Sequence, residues 1–202
     1  QMSELFSIQL QNRQQQGRDG VWLDLPTTTE QVQVALRQIG ISSDNPQGLF
    51  ISGYFAEEEK RFAISYNMVL ASNVDELNFL ASRLETLSTG ERAELNAALQ
   101  APQSELFSIG RITDFPENVD YYVHLPDVHG PAQLGDYYLN RSGMVNMPEE
   151  WKGGIDTAQF GRYVAQQEQG AFTQYGYLVK SGDEWQKVHE GQPVPEEYRV
   201  LS

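Results

Sequence analysis

The chain has 202 residues, 40% hydrophobic and 11% aromatic, with 28 Asp and Glu against 14 Lys and Arg, three His and no Cys. This size and composition suit one large domain or two to three small ones and exclude disorder. The missing Cys excludes disulfides, thiolate metal sites and cysteine nucleophiles together.

The formal charge of −14 is spread along the chain: residues 1–103 hold 13 acids and 7 bases, and residues 104–202 hold 15 and 7. Such a field repels nucleic acid and membrane surfaces and attracts basic partners, although solubility alone is the commoner reason for it. No run of 18 apolar residues offers a membrane span. The stretch Gln1–Gln16 has neither a charged n-region nor an apolar h-region, so it does not read as a signal peptide. The Gln ahead of Met2 reads as an added residue, and a cytoplasmic location is expected.

Taken in chain order, Ser3-Glu4-Leu5-Phe6-Ser7-Ile8 opens a strand and recurs letter for letter as Ser104-Glu105-Leu106-Phe107-Ser108-Ile109. Each copy leads to a similar second strand, ending Leu25-Pro26 and Leu125-Pro126. The pattern predicts a duplication, with residues 3–40 and 104–142 both folding as strand, strand, helix. In the first copy Thr27 and Glu30 make a capping box, Val32, Ala35, Leu36 and Ile39 an apolar stripe, and Gly40 a stop. Leu49–Phe55 reads as a strand, Glu57–Arg61 as a polar turn and Phe62–Tyr66 as the returning strand.

Asn73 with Glu76 starts a helix striped by Leu77, Leu80, Ala81, Leu84 and Leu87. Ser88-Thr89-Gly90-Glu91 starts a second, carrying Leu95 and Leu99, so residues 72–101 predict an αα-hairpin. Gln133–Arg141 is helical with Leu134, Tyr137 and Tyr138 apolar. Asp156 caps another helix, with Phe160, Tyr163 and Val164 facing inward and Gly170 as its stop. Phe172–Lys180 and Trp185–His189 predict a closing hairpin across Ser181-Gly182-Asp183, followed by a polar surface tail from Gly191.

Catalytic patterns are not found. His124 and His129 are five apart across Pro126, which fits no zinc spacing, and His189 stands alone. No phosphate-binding glycine loop and no Gly-x-Ser-x-Gly elbow occurs. The adjacent acidic pairs Asp75/Glu76, Glu149/Glu150, Asp183/Glu184 and Glu196/Glu197 lie at caps, turns or the tail, where they point apart or into solvent. A non-enzyme without cofactor or metal is expected.

The segment Gly154-Ile155-Asp156-Thr157-Ala158-Gln159-Phe160-Gly161-Arg162, followed by Gly170-Ala171-Phe172-Thr173 and Gly176-Tyr177, resembles the C-terminal signature of the ArdA antirestriction proteins. Thr157 stands where that family has Tyr, and Tyr163 where it has Asp. Trp22, Asp75-Glu76-Leu77-Asn78-Phe79-Leu80, Asn118 through Tyr122 and Leu134-Gly135-Asp136-Tyr137-Tyr138 fit the family's layout in order. The match is best to the longer forms on mobile elements of Gram-positive bacteria. The resemblance implies an elongated three-part chain, a homodimer, mimicry of bent B-form DNA, and occupation of the DNA groove of type I restriction–modification enzymes. At about one charge per 1.7 Å of duplex, a dimer would match about 48 Å, or about 14 base pairs.

The expectations are therefore an α+β chain with an N-terminal α+β module over 1–71, a helical module over 72–103 and a C-terminal α+β module over 104–202. The partner is a restriction–modification enzyme or another DNA-binding defence protein, with no direct nucleic-acid or membrane binding. The alternative is an acidic, non-enzymatic adaptor of a mobile element that binds a basic partner without DNA-like geometry; a carboxylate hydrolase is a third class. The expected acidic surface comprises Glu57, Glu58, Glu59, Asp75, Glu76, Glu85, Glu91, Glu94, Asp114, Glu117, Asp120, Asp127, Asp136, Glu149, Glu150 and Asp156. Glu57–Glu59 equally suits a solvated turn that guards a sheet edge.

Overall fold

Strand β1 (Phe6–Asn12) alternates buried Phe6, Ile8 and Leu10 with more polar residues, and this two-residue period seats it at the centre of an antiparallel sheet ordered β2-β1-β3. Its neighbours are β2 (Val21–Leu25), in register Phe6 with Leu25 through Leu10 with Val21, and β3 (Leu49–Phe55), with a register irregularity between Gln9 and Leu10. The computed structural model describes residues 4–15 and 17–201. Gln1, Met2 and Ser3, and with them the first letter of the N-terminal hexapeptide, lie outside the described residues.

Helix α1 (Thr29–Gln38) buries Val32, Ala35 and Leu36, the expected stripe. Its cap sits one residue later than expected: Thr28 accepts from Gln31 N, and the Gln31 side chain accepts from Thr28 N. Thr27 is drawn away because its N–H donates to Asn78 Oδ1 at 2.7 Å, a bond to a residue 51 positions on.

Residues 62–65 form no strand, although Phe62 and Ile64 are buried. Ser65 instead caps the short helix α2 (Tyr66–Leu70). Helix α3 (Val74–Leu84) begins where Asn73 Oδ1 accepts from Glu76 N, and Leu77, Leu80, Ala81 and Leu84 are buried as the stripe requires. Helix α4 (Thr89–Gln100) comes next.

The duplication fails in the structure. Ser104–Phe107 is not a strand, and Ser108 caps helix α5 (Ile109–Thr113) by accepting from Arg111 N. Strand β4 (Tyr122–Leu125) pairs with β6 (Gly176–Lys180), not with the copied hexapeptide. The six shared letters suit either conformation, and the residues C-terminal to them decide between the two. After Ile8 the chain continues Gln-Leu-Gln and keeps alternating, whereas after Ile109 it runs Gly-Arg-Ile-Thr and turns into a helix. Phe107, the counterpart of buried Phe6, is 65% exposed under the Arg111 guanidinium.

Helix α6 (Pro131–Asp136) runs on into a π-helical turn over Tyr137–Arg141. After the short α7 (Glu149–Lys152), α8 (Thr157–Glu168) starts on Asp156, whose Oδ1 accepts from Ala158 N and Gln159 N. Helices α6 and α8 touch through backbone: a Cβ on Gly135 would strike the Thr157 carbonyl, and one on Gly161 the Pro131 carbonyl. The buried face of α8 is thus Gly161 and Ala165, a turn apart. Tyr163, expected to face inward, lies on the far side and is 61% exposed. The helix ends on Gln169 in the left-handed region, one residue before the expected Gly170.

The second sheet is ordered β4-β6-β5, with β5 at Ala171–Thr173. The hairpin joins β5 to β6, where Thr173 Oγ1 accepts from Tyr175 N and donates to Gly176 O. The expected strand at Trp185–His189 does not form, because Asp114 claims the backbone of Val188–Glu190. Nor is the tail merely superficial. Val200 is buried, and the Tyr198 ring lies 4.9 Å from that of Phe79.

The chain forms two compact units. The first comprises 1–88, 106–117 and 186–202, and the second 89–105 and 118–185. The first holds the β2-β1-β3 sheet with α1, α2, α3 and α5. The second holds the β4-β6-β5 sheet with α4, α6, α7 and α8, over a core that includes Val128, Leu134, Ala165, Tyr177 and Val179. No helix among the described residues is long and apolar enough to cross a membrane.

Candidate partner-binding surface

The acids divide evenly between the units. The first unit has 16 acids and 9 bases, the second 12 and 5, so each carries a formal −7. Burial then selects among them, with 19 of the 28 carboxyl side chains in exposed residues. Exposed acids exceed exposed bases by 11 to 6 in the first unit and 8 to 3 in the second, again an equal surplus.

Of the expected acidic surface, Glu57, Glu58, Glu59, Asp120, Asp127 and Glu150 are exposed and make no side-chain hydrogen bond or ion pair among the described residues. Glu57–Glu59 sit on and just before a single 3₁₀ turn after β3. Others are exposed but engaged. Glu149 pairs with Lys152 at 2.9 Å, Asp136 accepts from Asn140 at 2.8 Å, Asp156 caps α8, Glu76 accepts from Ser72, and Glu117 is ion-paired to Arg83. Glu85 and Glu91 are half-buried.

Asp114 is a correction. It is fully buried, so it is not part of any exposed face. Its Oδ1 accepts from His189 N at 2.7 Å and its Oδ2 from Val188 N at 3.2 Å and Glu190 N at 3.1 Å, fastening the C-terminal segment to α5 within the first unit. A buried carboxylate with three N–H donors is satisfied where a bare one would be expelled. Asp75, half-buried, works alike: its Oδ1 accepts from Val200 N at 2.7 Å and Leu201 N at 3.1 Å. Adjacent Glu76 turns the other way, so this pair serves the fold with one member and faces solvent with the other.

Glu94 departs from expectation for an electrostatic reason. Its Oε2 is shut off from solvent and meets no hydrogen-bond partner among the described residues. Burial, then the negative charges of Asp120 and Glu91, push its pKa from 4.5 up to about 8. At neutral pH it therefore contributes little to the acidic field. Glu168 is also withdrawn, accepting from Tyr177 Oη at 2.5 Å and from Tyr138 Oη at 2.9 Å. Burial foremost, with this hydrogen bond, raises both tyrosines.

Asp114, Glu117 and His189 place ligand atoms within 4.8 Å of one another. Both carboxylates are already engaged, since three backbone N–H groups donate to Asp114 and Arg83 pairs with Glu117; the His189 ring packs edge-on against Phe79. His124 Nε2 lies 2.7 Å from the Tyr175 carbonyl, and His129 is exposed.

Sequence reasoning passed over Asp19, Asp24, Glu30 and Asp44, all exposed in the first unit. The signal for Asp24 was present: in Trp22-Leu23-Asp24-Leu25 the apolar residues alternate inward, so Trp22 and Asp24 share the outer face. Glu4 lies beside it. A hydrogen bond with the Asp24 carboxyl, then burial and the Asp24 charge, raise the Glu4 pKa, with Lys60 opposing and Glu57 adding to it.

Two small antiparallel sheets with packed helices, an acidic surplus of equal size on each unit, and committed interior carboxylates define a small acidic α+β protein. The family model described as antirestriction protein (ArdA) matches residues 16–179. The chain belongs to the ArdA antirestriction family. Among curated proteins none matches it. The glycines that let α6 and α8 meet, Gly135 and Gly161, both lie inside the matched span, while the segment fastened by Asp114 lies beyond it.

Proposed function

We infer that the chain is an antirestriction protein that works as a DNA mimic, occupying the DNA-binding groove of a type I restriction–modification enzyme as a homodimer and catalysing nothing itself. The observation that carries this reading is the equal surplus of exposed carboxylates on both units. A basic groove built for duplex DNA meets phosphate charge along its whole length, and a mimic with all its charge at one end would leave part of it unmatched. Exposed side chains alone give an excess of ten acids per chain. A dimer then matches about 34 Å of duplex, or about 10 base pairs.

The residues proposed to face the partner are Glu57, Glu58, Glu59, Asp120, Asp127 and Glu150, exposed and without a side-chain partner among the described residues. The test titrates a type I methyltransferase core, holding a labelled duplex with its recognition site, with this protein. Mutual exclusion is expected, with affinity for the protein falling steeply as salt rises, because the same Lys and Arg serve both ligands. A ternary complex of enzyme, duplex and this protein would overturn mimicry in favour of an adaptor.

A further inference from the structure

Within the first unit, β2 pairs among the described residues with β1 alone, so one side of its backbone is an open sheet edge. A groove of about 830 Å³ runs along this edge, walled by Val21–Asp24 of β2 and by α1 residues that include Val34 and Ala35. Glu4, Asp24 and Lys60 also line it. Val34 is 48% exposed, unlike the buried stripe of its helix.

The outer face of the same sheet is aromatic and acidic. Trp22 is 49% exposed and reaches across Gln9 to Gly53, where an added Cβ would lie 3.0 Å from its ring. Phe55, 53% exposed, stands opposite Ser7, whose other neighbour is Asp24. Close by, the Glu4 and Asp24 carboxyl groups stand near enough to interact, and Ser7 Oγ donates to Asp24 Oδ1 at 2.7 Å. Lys60 supplies positive charge to that cluster, against the charges of Glu4, Asp24 and Glu57.

We propose that this groove binds an extended basic peptide of a partner protein as a fourth strand on β2. One set of its alternate side chains lies against Val34, and its Lys or Arg lie over Trp22 beside Asp24 and Glu4. The backbone of an added strand completes the open edge, and alternation sends its side chains to the two faces in turn. Cations on the outer face meet an indole and a carboxyl pair that otherwise repel each other. A second copy of this chain is the poorer occupant, since it would bring the same acidic edge against its own. The proposal stands apart from DNA mimicry, because a protein that failed to compete with duplex would still bind the peptide.

The probe is the blocked hexapeptide Arg-Val-Lys-Val-Arg-Val, titrated into the full ¹⁵N-labelled chain. Saturable shifts confined to Val21–Leu25 and α1 are expected, with slowed amide exchange along β2. W22A and V34K should each weaken binding about tenfold, and D24N about threefold, with unchanged circular dichroism. The acidic analogue Glu-Val-Glu-Val-Glu-Val should not bind. The proposal is overturned by absence of binding, or by shifts spread over the exposed carboxylates of both units at an affinity that W22A and V34K leave unchanged. Protection of β2 that grows with protein concentration without peptide would also overturn it, giving the edge to a second copy.

Discussion

Replacing Glu94 with Gln removes a carboxyl group whose Oε2 the fold keeps from water and, among the described residues, leaves without a hydrogen-bond partner. Burial, with Asp120 and Glu91 adding to it, raises its pKa from 4.5 to about 8. The folded chain therefore keeps a proton that the unfolded chain releases as pH rises above 4.5. Stability falls across the window from 4.5 to about 8, and a Gln at this position, which cannot ionise, does not lose it. At 1.36 kcal/mol per pH unit the full difference is about 5 kcal/mol, and solvent reaching the rest of the side chain reduces it to about 2 kcal/mol. Urea unfolding followed by circular dichroism at pH 5 and pH 8.5 reads this directly. The wild type and E94Q should nearly coincide at pH 5. At pH 8.5 the variant's midpoint should lie higher by about 1 M urea, for a slope of about 2 kcal/mol per M. An equal gap at both pH values would mean that packing and not ionisation separates the two proteins, and a less stable variant at pH 8.5 would refute the argument outright.

Three further outcomes are expected. Gly135→Ala and Gly161→Ala each drive a methyl into a facing carbonyl and should cost about 3 kcal/mol, whereas Gly153→Ala, with nothing within 4 Å of its added Cβ, should change thermal melting little. Asp114→Asn replaces an acceptor of three backbone N–H groups with a side chain bearing one oxygen, and should cost about 3 kcal/mol and open the chain to limited proteolysis near residues 186–190. Reversing Glu57, Glu58 and Glu59 together should weaken binding to a type I methyltransferase core and flatten its salt dependence, while neutralising any one of them should do little. Unchanged affinity in the triple variant removes that turn from the binding face.

Much of the local structure was legible in the residues. Asn73 with Glu76, and the leucine stripe behind them, specify α3 because caps and helical periodicity act within a few positions. Leu49–Phe55 reads as a strand and is one; α8 starts on Asp156 as its sequence predicts. The family was legible too, since the order of short motifs survives in one dimension. What failed was whatever depended on distant partners. The hexapeptide shared by residues 3–8 and 104–109 is compatible with strand or cap; the residues that follow each copy tip the balance, and pairing with β2 and β3 completes the strand in the first while the Ser108 cap completes the helix in the second. The roles of the acids were hidden for the same reason. Asp114 is an anchor because a backbone 74 to 76 residues away donates to it, and Asp75 because one 125 residues away does. Glu94 is masked by the burial that tertiary packing imposes, and a carboxyl group's charge depends on its solvent and neighbours, which residue order does not contain. Composition set how much negative charge the chain carries, but only packing in three dimensions decided which carboxylates reach water.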